Sequence, residues 1–110
     1  MSSCLVERCP VDMHGQMLVC SPHWTFLSQG LRAEVIDTHN GLAAQLAVGN
    51  PRRATREAWR ALLPRVSAEL AAAHAGLERD LGRAVPPSGV EWRRAGRAIA
   101  RAAADGTAEP

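Results

Sequence analysis

Four residues near the start of this 110-residue chain carry side chains that bind soft or borderline metal ions: Cys4, Cys9, Cys20 and His23. They read C-x4-C-x10-C-x2-H, two close pairs separated by an insert long enough for a hairpin. A structural metal site asks for four thiolate or imidazole donors in a tetrahedron, and donors close in sequence can be held by one local turn. The spacing therefore predicts a structural Zn2+ held by Cys4, Cys9, Cys20 and His23. Two other readings compete, buried inert thiols acting as small hydrophobes and an iron–sulfur or redox site. An odd number of cysteines leaves one over in any disulfide scheme. His14 lies between the pairs as a rival ligand, although Gly15 beside it favours the tip of a turn.

Positioning these donors takes a particular run of elements. In "VDMHGQMLV", Val11 and Met13 before His14-Gly15, with Met17 and Val19 after it, predict a small β-hairpin. Ser21-Pro22 suits a helix start, because proline is tolerated where its missing N–H has no partner anyway. Cys20 and His23 would then share one face of the first turn, three residues apart. The helix N-terminus also favours a thiolate. Ser28 is placed to cap a second segment, "QGLRAEVIDTH", with Leu31 and Val35 on one face and Asn40-Gly41 at its end. These boundaries divide the chain into a metal-binding module over 1–41 and a helical region over 42–104, with a linker near 84–89.

The second half is patterned for helices. From Asn50-Pro51, the residues Trp59, Leu62 or Leu63, Val66, Leu70, Ala73, Leu77 and Leu81 recur near the helical period. The stripe keeps phase across Pro64, which predicts a kinked helix or two nearly collinear ones. Gly82 ends it and "AVPPSG" follows as a turn. Ser88 and Glu91 form a capping box for a last helix, whose stripe is Trp92, Ala95, Ile99 and Ala102. The three tryptophans are expected to pack in the core. The "DGTAEP" end, 105–110, reads as a frayed, disordered acidic tail. The fold class expected is mainly α, with a small N-terminal knuckle and hairpin followed by three to four helices.

Knuckle, hairpin and a helix that gives the last two ligands together resemble a treble-clef zinc finger. More narrowly, "CSPHWTFLSQGLRAEV" is similar to a family of small, mostly uncharacterised zinc-finger-like proteins of actinobacteria and their phages. Their helix start reads roughly M-x-C-x-x-H-W, then a Leu or Val, often a Pro, then L-R and a β-branched residue. Cys20, His23, Trp24, Leu27, Leu31, Arg32 and Val35 occupy those positions, and Cys4 and Cys9 match the upstream pair. Ser28 stands where a proline is common. The resemblance covers about the first 40 residues and implies zinc binding but no reaction.

Charge is distributed unevenly. All 13 basic residues are arginine, a skew that looks like a GC-rich genome. Residues 1–50 carry two arginines against four acidic residues, and residues 51–104 eleven against five. Arg52, Arg56 and Arg60 step by four along one predicted helix, with Arg53 and Arg65 nearby. Arg93, Arg97 and Arg101 do the same on the last, beside Arg94. Such stripes suit phosphate contacts, and the competing reading is a solvated helix face. The candidate partners are therefore nucleic acid or another protein, a second copy of this chain included. A homodimer or adaptor would use the apolar stripe of residues 59–81.

Several function classes find no support. No apolar run approaches the ~18 residues that span a bilayer. No basic segment followed by a hydrophobic run opens the chain, so the expected location is cytoplasmic, in a bacterium or a phage host. A Cys3His shell is closed to water and substrate. No phosphate loop, nucleophile elbow or deaminase-type H-x-E accompanies it. His39 and His74 stand alone and are expected on the surface or in helix packing. A non-catalytic, nucleic-acid-associated accessory or regulatory protein is the expected function.

Overall fold

The computed structural model describes residues 4–11 and 18–108. Four helices follow in chain order: α1 (Ser21–Trp24), α2 (Gln29–Ala47), α3 (Arg53–Leu81) and α4 (Gly89–Ala108). The protein is mainly α, and the described residues contain no strand. The expected hairpin falls largely on residues 12–17, outside the described residues, as does His14. Its described flank is anchored where the Leu5 N–H donates to the Leu18 carbonyl at 2.9 Å. Between the first two cysteines the chain turns: Cys9 N–H donates to the Val6 carbonyl at 3.2 Å, and Arg8 takes the left-handed conformation at φ 67°.

Ser28 caps α2 as its sequence position suggests. Its hydroxyl accepts from the Leu31 N–H at 3.3 Å and donates to Glu69 of α3 at 3.0 Å. The Ser28 N–H donates to the other Glu69 oxygen at 2.8 Å. One serine thus caps α2 and ties its start to the middle of α3. Ser28→Ala is expected to lower stability by about 1–2 kcal/mol, the usual loss for an N-cap, read as a reduced urea midpoint at unchanged slope.

Three expected boundaries move. The α2 helix runs through Asn40-Gly41 to Ala47, so the residue 41 boundary falls inside a helix. Gly41 remains helical because packing beyond it overrides its weak propensity. His39 lies against Trp59 at 5.8 Å, and Gln45 donates to Thr55 at 2.9 Å. The chain leaves the helix at Gly49, which adopts φ 72°. Next, α3 begins at Arg53, not at Asn50-Pro51. Gln45 does the capping there from across the turn, its side-chain oxygen accepting from the Arg52 N–H at 2.8 Å. Finally, α4 extends to Ala108, past the end expected at 104. The alanines at 102–104 favour helix without needing packing, and Ala102, expected on the buried stripe, is exposed.

α2 and α3 form an antiparallel hairpin in which Ser28 faces Glu69, Glu34 faces Arg65, and Gln45 faces Thr55. The α3 stripe is continuous, with Leu62, Val66, Leu70 and Leu77 buried and Trp59, Ala73 and Leu81 packed against them. Pro64 lies inside the helix on its exposed side. There, water can satisfy the Arg60 carbonyl that loses its usual partner. α4 packs on both α1 and α3, so the last helix closes over the first. No helix among the described residues is long and apolar enough to cross a membrane.

Candidate metal centre

The turn after Cys4, the approach to α1 and the first turn of α1 bring the four predicted donors together. The three sulfurs and one imidazole nitrogen all lie within 4.8 Å of one another. Cys20 Sγ and Cys4 Sγ stand 3.1 and 3.3 Å from His23 Nδ1, and Cys9 Sγ stands 3.9 Å from Cys20 Sγ. The Cys20 backbone N–H points at Cys4 Sγ from 3.4 Å, an orientation that stabilises charge on that sulfur. No cysteine is in a disulfide. This Cys3His cluster can hold a metal ion.

Local geometry explains the convergence. Cys20 is the extended residue before α1, and Pro22 occupies the first turn. The Trp24 N–H closes that turn onto the Cys20 carbonyl at 3.0 Å. His23 then lies one turn on from Cys20 with its Nδ1 edge toward the sulfurs. Its Nε2 is buried without a hydrogen bond, and the Pro87 carbonyl is near enough to favour the protonated ring slightly. Burial wins and holds His23 down to about 4. The ring is therefore neutral near pH 7, the form that ligates a metal. Burial likewise pushes the Cys20 thiol up to about 12, and the neighbouring Cys4 and Cys9 add to the rise. Thiols this close and this dry stay protonated unless a cation compensates the charge of their thiolate forms.

The surroundings come from the far end of the chain. A Cβ placed on Gly89, the first residue of α4, would stand 2.7 Å from Cys20 Sγ, 2.9 Å from Pro22 Cβ and 3.3 Å from His23 Nδ1. Only glycine permits that approach. Three residues on, Trp92 is 1% exposed and meets three rings. His23 packs edge-on at 4.2 Å, Phe26 edge-on at 5.5 Å, and His74 stacks at 4.9 Å. His74 Nε2 donates to the Val85 carbonyl at 2.7 Å, while Val85 N–H donates to Glu78 at 2.9 Å. The 82–88 loop is thereby fixed where it delivers α4 to the centre. In the sequence, position 89 reads only as the end of a linker. Its signal was the glycine itself, but nothing in the sequence said what it approaches. Glu91, expected to fold back on Ser88, accepts from Arg94 at 3.1 Å.

The predicted arginines are not brought together at this centre. Arg52, Arg53, Arg56 and Arg60 are exposed near the start of α3, and Arg93, Arg97 and Arg101 are exposed on α4. Arg53 pairs with Glu57 at 2.9 Å. Among the described residues, the other six make no ion pair. Arg65 holds Glu34 in a two-pronged contact at 2.6 and 3.1 Å. That contact draws the Glu34 carboxyl below its ordinary range and raises Arg65. A cleft of about 340 Å³ opens between residues 5–7 and α3 beside Trp92, with Leu5, Val6, Leu70 and Ala71 among its walls. Comparison with models of known protein families, with curated proteins and with solved structures finds no match.

Proposed function

We propose that this is a non-catalytic protein in which Cys4, Cys9, Cys20 and His23 hold a structural zinc ion, and whose exposed arginines contact nucleic acid. The clustering of the four donors carries the metal reading. Zinc–sulfur and zinc–nitrogen bonds of about 2.3 and 2.0 Å in a tetrahedron separate sulfurs by about 3.8 Å. The Cys9–Cys20 pair stands at 3.9 Å. Borderline thiolate and imidazole donors favour zinc over hard cations. With all four positions filled by protein, no site remains for water or substrate, and the ion's work is to fasten the knuckle to α1. The C-x4-C-x10-C-x2-H spacing, which resembles that of a treble-clef-like finger of the actinobacterial and phage kind, supports this reading.

Elemental mass spectrometry tests the metal directly. One zinc per chain is expected, lost in Cys20→Ser and His23→Ala, and a folded metal-free protein would refute the reading.

The nucleic-acid reading rests on six exposed arginines without ion pairs. Each phosphate contact releases counterions, so affinity falls with salt. On a short nonspecific DNA duplex, the joint change of Arg52, Arg56 and Arg60 to Ala is expected to flatten the slope of log affinity against log salt. The slope falls by about 0.9 for each contact removed. Arg53→Ala should do less, since Glu57 already engages that side chain.

A second reading, a protein adaptor or homodimer, has its own support at the α2–α3 turn. There Leu46 is 57% and Val48 78% exposed. The stripe over residues 59–81 is spent on this chain's own core, so that turn is the apolar surface such a partner would use. Absence of DNA binding at low salt, with a concentration-dependent dimer in sedimentation, would favour it.

A further inference from the structure

The four donors are not equally sheltered. Cys4, Cys20 and His23 are buried, and Cys9 is half-buried. Its sulfur is also the one that stands 3.9 Å from Cys20 Sγ, and all three thiols are free. Cysteine oxidation follows thiolate character and access, and it goes cleanly to a disulfide where a second sulfur is poised nearby. A metal-ligating thiol is deprotonated, so Cys9 combines the reactive form, access to solvent and a resolving neighbour. Cys20 in turn lies directly under Gly89, at the point where α4 meets the centre.

On the reading that the cluster binds zinc, we propose that Cys9 and Cys20 form a peroxide-oxidised pair whose joining dismantles the centre and loosens α4. The substrate class is a hydroperoxide, hydrogen peroxide in the simplest case. The Cys9 thiolate attacks one peroxide oxygen, the O–O bond breaks, and hydroxide leaves, giving Cys9 sulfenic acid. The Cys20 thiolate then attacks the Cys9 sulfur, the S–S bond forms, the S–O bond breaks, and a second hydroxide leaves. Two thiolates lose two electrons and one peroxide gains them. Cys4 and His23 alone remain as donors, half of what a structural site needs. Pulling the Cys20 sulfur toward Cys9 also changes the contact on which Gly89 rests.

Treating the reduced, zinc-loaded protein with hydrogen peroxide tests this. Metal release into a colorimetric chelator, peptide mapping of the cross-link and hydrogen exchange over residues 89–96 are followed together. A Cys9–Cys20 disulfide that grows in step with metal release, with falling protection in α4, is expected. Cys9→His keeps a donor but removes the reactive sulfur, and its release under peroxide should be on the order of tenfold slower. A cross-link through Cys4, Cys9 oxidised to sulfinic acid without a disulfide, or equal release from Cys9→His would overturn the proposal. Protein that purifies without metal removes the zinc reading, while mapping of the peroxide-treated chain still decides the pairing.

Discussion

Gly89→Ala is expected to weaken metal binding by ten- to a hundredfold, the range seen when groups supporting a metal site are disturbed. The new methyl would lie 2.7 Å from Cys20 Sγ and 2.9 Å from Pro22 Cβ, closer than such atoms approach. Neither neighbour is the free end of a flexible chain: one is a candidate metal donor, the other a ring fixed in the first turn of α1. Either Cys20 rotates away from the donor set, or α4 retreats and takes Trp92 from His23. Overpacking of this kind costs about 1–3 kcal/mol. Gly96→Ala supplies the control in the same helix. Its nearest contact would be Phe26 Cζ at 3.8 Å, ordinary van der Waals distance, so it should bind metal normally. It should also be stabilised through its better helix propensity. Competition with a chelator of known affinity and thermal melting separate the two, and equal behaviour would remove Gly89 from the account.

Stripping the metal is expected to reach well beyond the first 40 residues. Structural zinc contributes an apparent ~10–16 kcal/mol in small fingers, and here the donors share contacts with α4 through Gly89 and Trp92. Chelation should therefore lower the melting temperature and increase hydrogen exchange at residues 82–96 as well as around Cys4–His23. Loss confined to the N-terminal segment would show that the helices stand without the centre. Acid provides the same test without a chelator. The folded chain holds His23 near 4 against an ordinary 6.5, so below pH 6.5 the unfolded chain binds a proton that the folded one refuses. Stability is full above 6.5 and falls as pH drops toward 4. Metal affinity falls with it, because protons compete for the same donors. The prediction is a pH-dependent melt whose decline begins below 6.5 and steepens once the ion leaves.

Much of this was readable in the residues. The donor set was legible because soft ligands in two close pairs have few other uses, and the α3 stripe because seven apolar positions hold one phase over twenty-three residues. The helix ends were harder. Asn40-Gly41 and Gly49-Asn50 offer similar local signals, and only the packing of Gln45 on Thr55 decides between them. The arginines illustrate the same limit. Arg53 with Glu57 is visible at i, i+4, whereas Arg65 with Glu34 depends on the pairing of two helices. Least legible was the wall of the metal centre. Nothing near Cys20 in sequence announces Gly89, because the contact exists only once α4 folds back.

That return has a consequence for the order of events in making the protein. All four donors leave the ribosome before α2 is complete, and folding during synthesis proceeds from the N-terminus. An ion can be captured by the nascent chain while the surface that will press against it is still unmade. Gly89 and Trp92 belong to the last helix to be made, so in a chain that has already captured an ion that helix would be fitted onto a preformed site.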